Sequence, residues 1–308
     1  MPVEPTFKPM LAGTCKDINS IKLPIMVSPK LNGIRCIIHP TMGAVTRNLK
    51  PIPNIYMREK LNKLSVSFDG ELIVGKITAT NVWNASDSGV MTEEGKPNFS
   101  YHIFDIAPKY SNEPYFARHG RMTRAMDKCI DRQHQYLRSI RHVVLKNIPD
   151  IKVYEETMVS IGYEGIMLRD PLGPYKYGRS TEKEGWLLKL KRVHDAEGTI
   201  VGFREKLRND NIATTSLLGY TERSSHKANK HGAGTLGSLI VKAKFTGWTN
   251  LMDDGVTFNI GTGFNDDLRK KIWREAAKMI GRIVKFKYQS LSPDGKPIFP
   301  VFLGFRND

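Results

Sequence analysis

Pro29-Lys30-Leu31-Asn32-Gly33-Ile34-Arg35 lies between two strand-like runs, 25–27 and 35–39, and puts a lysine in a tight turn marked by Asn32-Gly33. A lysine amine attacks phosphorus or carbon only when neutral, so a catalytic one needs cations, a metal or a dry site close by. Taken alone, a turn lysine in so basic a chain is ordinarily a solvated one. Segments further along decide between the two readings.

Phe68-Asp69-Gly70-Glu71-Leu72 places two carboxylates around a glycine in the expected strand 66–74. Tyr163-Glu164-Gly165-Ile166-Met167-Leu168-Arg169 repeats the order of acid, then glycine, ahead of the expected strand 165–168. Two separated carboxylates can share a magnesium ion. Trp186-Leu187-Leu188-Lys189-Leu190-Lys191 alternates, which sends Lys189 and Lys191 to one face of a strand and the apolar residues to the other. Two ammonium groups facing one pocket neutralise phosphates. In the run 101–106, alternation turns either Ile103 or Phe104 toward the core.

The whole chain fits that chemistry. Its 308 residues carry 47 Lys and Arg against 31 Asp and Glu, a formal net charge of +16, so a polyanion is the first partner to expect. Cys15, Cys36 and Cys129 are odd in number and widely spaced, which reads as free thiols in a reducing compartment rather than a zinc site. Residues 1–8 carry Glu4, Pro2 and Pro5 where a secretory signal needs a basic start and an apolar stretch, and no later run has the length of a membrane span. The expectation is a soluble protein of the cytoplasm or nucleoid, with no membrane partner.

Length favours two domains, at roughly 100 to 200 residues each. Up to residue 106 the signals are mostly strands. The stretch 115–146, with apolar residues mainly three or four apart, predicts one or two amphipathic helices, and 153–161 predicts another. From about residue 193 the pattern becomes short strands, Gly-rich turns and one helix, 266–280, which suits a small, partly open OB-type barrel. Residues 204–235 interrupt it with many Arg, Lys, His, Ser and Asn, a surface insertion.

In chain order, Lys30 with Gly33 and Arg35, Glu71, Phe104 with Asp105, Glu164 with Gly165, and Lys189 with Lys191 resemble the motifs of the covalent nucleotidyltransferases. That superfamily holds ATP-dependent DNA ligases, RNA ligases and mRNA capping enzymes. The resemblance covers essentially the whole chain and is nearest to the small viral DNA ligases, most visibly in 163–171, 178–181, 184–192 and 299–306. It implies an α+β fold: a nucleotidyltransferase (ATP-grasp-like) domain of antiparallel sheets and helices over 1–192, then an OB-fold β-barrel over 193–308.

The resemblance also implies roles. Lys30 would attack the α-phosphate of ATP, release pyrophosphate and keep AMP, which then passes to the 5′-phosphate of a nick before the 3′-hydroxyl displaces it. Arg35 and Glu71 resemble residues that hold the ribose, and Phe104 the ring that stacks on adenine. Glu71 and Glu164 resemble ligands of Mg2+ or Mn2+. Lys189 and Lys191 would contact the α-phosphate, Arg179 and Arg47 the nucleotide phosphate and the nick's 5′-phosphate, and Arg306 the leaving pyrophosphate. Asn32 departs from the family's usual Asp, which weakens any metal or 3′-hydroxyl contact there, and Ile298 stands where Arg is common. The insertion sits where small viral ligases carry a clamp, with Arg204, Lys206, Arg208, Arg223, Lys227 and Lys230 to neutralise phosphates, and Gly219, Gly232 and Gly234 to let it move. The expected partner is nicked duplex DNA, met by a monomer. An RNA ligase, a guanylyltransferase and a catalytically silent nucleic-acid-binding module are the rival readings.

Overall fold

The computed structural model describes residues 7–108, 112–129, 134–191, 193–215, 221–224, 226–245, 255–292 and 294–306. Two compact units divide after Lys191. In the first, one five-stranded sheet runs in the order Gly13–Thr14, Leu187–Leu190, Ile166–Arg169, Ile25–Pro29, Val143–Leu145. A second runs Gly43–Thr46, Ile34–His39, Phe68–Val74, Phe99–Ile106, Leu137–Ser139. Neighbouring strands are antiparallel except the two pairs formed by Gly13–Thr14 and by Leu137–Ser139.

Burial explains these strands. In the second sheet Ile34, Cys36, Ile38, Phe68, Leu72, Tyr101 and Ile103 form one core, onto which helix Tyr115–Cys129 lays Met122 and Met126, one turn apart. The Tyr101 hydroxyl is satisfied there by the carbonyls of Cys36 and Phe68, at 3.0 and 3.1 Å. The first sheet packs Ile25, Val27, Ile166, Leu168 and Leu188 against Ile151 of helix Ile148–Ser160. Because Ile103 takes the core side of Phe99–Ile106, Phe104 is left half-buried on the other face.

Three expectations need correction. The helix expected within 115–146 ends at Cys129, and Leu137 and Val144 belong to strands instead; residues 130–133, with Ile130, lie outside the described residues. Leu137–Ser139 pairs with Tyr101–Ile103, and Val143–Leu145 with Ile25–Val27, so both runs occupy backbone groups at sheet edges that a helix would have left unpaired. The helix expected over 153–161 starts at Ile148, because the Asn147 side chain accepts from the Asp150 N–H and a proline fills the first turn. The helix expected over 266–280 breaks at Glu275 into Asp266–Arg274 and Ala276–Met279.

The second unit is a five-stranded antiparallel sheet, ordered Val256–Ile260, Lys230–Ala243, His194–Asn209, Ile283–Tyr288, Val301–Phe305. Its inward residues, among them Ile200, Leu239, Val241, Ile260, Val284 and Phe286, form one core with Ile272 of helix Asp266–Arg274. Among the described residues the two edges meet only at a parallel bridge between Thr262 and Val301, so the OB-fold is partly open rather than a closed barrel.

Much of 204–235 is not a loop. The strands His194–Asn209 and Lys230–Ala243 continue into it as a two-stranded arm, pairing Leu207 with Gly232 and Asn209 with Lys230, with register shifts around Glu205. Beyond them Ala213–Thr215 and Thr221–Arg223 form a small sheet, and Asn211 ties the arm together, donating to the carbonyls of Ser224 and His226, each at 3.0 Å. Gly219 lies outside the described residues.

Candidate functional site

A cavity of about 250 Å³ opens in the first unit, and Lys30, Arg35, Arg47, Glu71, Phe104, Arg179 and Lys189 line it. Local structure puts them there. Lys30 follows the strand Ile25–Pro29, and its N–H donates to the Gly165 carbonyl at 2.9 Å, tying the lysine turn to the acid–glycine turn. Both glycines are required by close approach. A Cβ on Gly33 would lie 2.3 Å from the Leu72 carbonyl oxygen, and one on Gly165, whose φ is +148°, 2.3 Å from that of Leu190.

Glu164 sits between two ammonium groups. Lys30 Nζ donates to one of its oxygens and Lys191 Nζ to the other, while Lys30 Nζ also donates to the Leu31 carbonyl at 3.1 Å. The Glu164 side chain is 8% exposed; burial alone would raise its pKa, but Lys30 and Lys191 hold it below the usual carboxylate range. Burial lowers Lys189 and Lys191, and neighbouring cations push the same way: Lys191, Lys30 and Arg179 on Lys189, and Lys30 on Lys191. Lys189 lines the cavity. Lys191, one residue past the strand Leu187–Leu190, is given over to Glu164 instead.

Arg35 makes a two-pronged ion pair with Asp69, at 2.5 and 2.6 Å, and donates to the Met10 carbonyl at 3.2 Å. Its guanidinium also lies 4.7 Å from the centroid of the Phe104 ring. Glu71, opposite Arg35 in the strand register, accepts from the Gly33 N–H at 3.3 Å; burial raises its pKa against the pull of Lys30 and Arg35. Arg179 donates to the Ala12 carbonyl at 2.6 Å.

The remaining expected residues lie elsewhere. Asn32 is half-buried in the lysine turn and is not among the residues lining the cavity. Arg306, in the second unit, donates to Glu197 at 2.9 Å. On the arm, Arg204 and Lys227 are exposed, Lys206 is 3.8 Å from Asp266, Arg208 is 3.0 Å from Asp210, Arg223 donates to the Asn211 carbonyl, and Lys230 is half-buried.

Sequence reasoning missed Ser28, Ile140, Met167 and Arg169, which also line the cavity. Met167 was recoverable, because alternation along Ile166–Arg169 opposes it to buried Ile166 and Leu168. Ile140 and Arg169 had no local signal. Ring, cations and cavity suit a flat base carrying phosphates. For a divalent ion the fit is narrower. Among the described residues no three His, Cys, Asp or Glu gather, but magnesium takes one or two carboxylates and completes its shell with phosphates and water, which Glu71 and Glu164 can supply.

Comparison with known proteins agrees with this chemistry. The family model for the ATP dependent DNA ligase domain matches residues 9–191, and that for the DNA ligase OB-like domain matches 229–306. Two structures of Chlorella virus DNA ligase-adenylate are 31% and 33% identical to this chain, each with a TM-score of 0.55; they cover 98% and 97% of it, and 99% of their own chains. A structure of a Lig E DNA ligase, 22% identical, shares the fold with a TM-score of 0.69 over 97% of this chain and 99% of its own. A DNA ligase of Haemophilus influenzae is 20% identical over 277 residues, 90% of this chain and 85% of that protein.

Proposed function

This chain belongs to the ATP-dependent DNA ligase family, and on that premise we propose that it seals 5′-phosphate/3′-hydroxyl nicks in duplex DNA by carrying AMP on Lys30. One observation carries the assignment: Lys30 lies at a cavity that also holds an aromatic ring and the cations Lys189 and Arg179, with its amine fixed by Glu164. ATP supplies the adenylate, and its β- and γ-phosphates leave as pyrophosphate.

On this reading the other tasks are divided among the remaining side chains. Phe104, stiffened by Arg35 against its face, offers a stacking surface to the base, and Met167 and Ile140 add apolar wall. Glu71 accepts from the ribose hydroxyls. Lys189 and Arg179 neutralise the α-phosphate, so negative charge building on it is met by fixed cations. Glu164 aims the Lys30 amine rather than taking its proton, because a carboxylate held below its usual range is a poor base. As the Nζ–phosphorus bond forms, the bond to pyrophosphate breaks, and the nitrogen, neutral when it attacks, passes its surplus proton to solvent water. Mg2+ or Mn2+ belongs to this reading: Glu71 and Glu164 would hold it, and it would help neutralise the phosphates. Arg306 is assigned to the leaving pyrophosphate and Arg47 to the nick's 5′-phosphate.

The protein is read as a monomer working inside the cell. Cys15 and Cys36 are free thiols, as suits a reducing compartment, and among the described residues no helix is long and apolar enough to cross a membrane. Two assays test the function. Intact mass after incubation with ATP or GTP and a magnesium salt should show one AMP added and no GMP, and a denaturing gel should show sealing of nicked duplex. Asn32→Asp should seal at least as fast as the parent. A protein that gains GMP is a guanylyltransferase, one that seals only nicked RNA is an RNA ligase, and one that gains neither nucleotide is a silent module.

The arm is assigned to the phosphodiester backbone of the duplex. Lys227→Ala with Lys230→Ala should weaken binding equally on unrelated sequences and reduce the slope of log affinity against log salt by about two, roughly one for each phosphate left without its cation. Fluorescence anisotropy across a salt series reads this directly, and an unchanged slope removes these two lysines from the interface.

A further inference from the structure

Behind the cavity wall lies a hydrogen-bonded pair for which the chemistry above has no use. Tyr115 is fully buried, and its hydroxyl is 2.9 Å from the Phe104 carbonyl oxygen and 2.9 Å from Nε2 of His142. The other ring nitrogen of His142, Nδ1, is 3.0 Å from the Ile140 carbonyl oxygen. Phe104 and Ile140 both line the cavity. One tyrosine and one histidine thus tie down the backbone of two wall residues that come from different parts of the chain.

Counting hydrogens fixes how the pair is wired. Burial, helped by Arg169 and His119, pushes His142 down to about 3, so the ring is neutral in the working range and brings one N–H. The Ile140 carbonyl can only accept, so that hydrogen sits on Nδ1. Nε2 is then an acceptor, and the single Tyr115 hydrogen is shared between Nε2 and the Phe104 carbonyl, a three-centre bond. The charged groups around the pair do not change this. Arg169 lies 4.1 Å and Arg118 5.3 Å from the centroid of the Tyr115 ring, both are paired with Asp105, and His119 stands edge-on to His142 at 4.9 Å. A neutral ring whose one N–H and one lone pair are both engaged is a brace and not an acid or base.

We propose that Tyr115 and His142 are positioning residues that hold Phe104 and Ile140 at the spacing a nucleotide base needs, so that they govern nucleotide affinity and not the rate of adenylate transfer. The inference rests on the nucleotide reading of the cavity. Without the brace the wall relaxes and the base has to reorganise it on binding, a cost that falls on the bound state and the transition state alike.

Self-adenylylation kinetics with ATP test it. Tyr115→Phe keeps the ring beneath Arg169 and removes only the hydroxyl; the KM for ATP should rise about fivefold to tenfold, the effect of one hydrogen bond, with the rate at saturating ATP within about twofold. His142→Leu should match it, and the double variant should be no worse than either single one, because both break the same brace. His142→Gln keeps one donor and one acceptor and should restore KM to within about twofold of the parent. A purely structural role would lower the melting temperature and leave KM alone. Should Tyr115→Phe fail to fold, the Leu and Gln variants of His142 carry the comparison. A labelled Tyr115→Phe protein with unchanged KM, additive single effects, or a Gln variant no better than Leu overturns the brace alone. A parent protein that gains no AMP overturns the nucleotide reading and the brace with it.

Discussion

Replacing Lys30 with alanine is expected to leave a folded protein that gains no AMP and seals no nick, a loss of at least about a thousandfold in both steps, as befits removal of a covalent nucleophile. The structure makes the fall steep because the neighbouring amines are poor substitutes. Lys191 is bound to Glu164, and Lys189 lies in the strand Leu187–Leu190 rather than in the turn that carries Lys30. Folding should be little affected, since Glu164 keeps Lys191 as a partner when Lys30 is lost. Lys30→Arg sharpens the test. Its guanidinium preserves charge and pairing with Glu164 but stays protonated at every working pH, so it should be equally unlabelled. Intact mass and a nick-sealing gel read both variants, and an AMP adduct on either one assigns the chemistry to another residue.

What the sequence revealed of this site, and what it hid, follows from the range of each interaction. Lys30 and Gly33 were legible because the turn that places them is only four residues long, 30–33, and its glycine is forced by contact with the strand Phe68–Val74. Phe104 and Lys189 were half legible: the period of a strand fixes which residues share a face, but not which face meets the cavity. Which cation each carboxylate would meet left no trace. Asp69 answers Arg35 from the neighbouring strand, 34 residues on, and Asp105 gathers Arg118 and Arg169 from a helix and a strand 13 and 64 residues away.

At the level of the fold, the same distinction decides the misreading of 137–145. A few apolar residues three or four apart in a charged stretch satisfy a helical template, and nothing local says that two sheet edges lack a neighbour there. The arm was legible as an insertion but not as a pair of strands. Its composition is that of a solvated loop because both faces of its two strands meet water, so the ladder between Leu207 and Gly232 leaves no apolar alternation to read.

The largest effect on stability should come from Asp105. Its carboxylate is 1% exposed and takes both Arg118, at 2.9 and 3.2 Å, and Arg169, with the Ile106 N–H at 2.9 Å as a further donor. Asp105→Asn preserves size but turns an amide toward two buried guanidiniums, at a cost of about 3 to 5 kcal/mol, a large part of the roughly 5 to 15 kcal/mol that holds a domain folded. The melting temperature of the first unit should fall by about 10 °C. Lys176→Ala breaks a pair whose side chains are 29% and 27% exposed, and should cost no more than about 1 kcal/mol. Acid sensitivity separates the buried charge from lost packing. Burial opposes ionisation of Asp105, but Arg169 and Arg118 prevail and hold its pKa below the ordinary value. Its stabilisation is therefore complete above the unfolded carboxylate pKa, near about pH 4, and drains away as the pH falls through the lower folded value. Urea midpoints of the parent should drop steeply on acidification below about pH 4, and those of Asp105→Asn should drop less. Parallel curves would mean that the carboxylate's charge contributes nothing and that the cluster is held by shape alone.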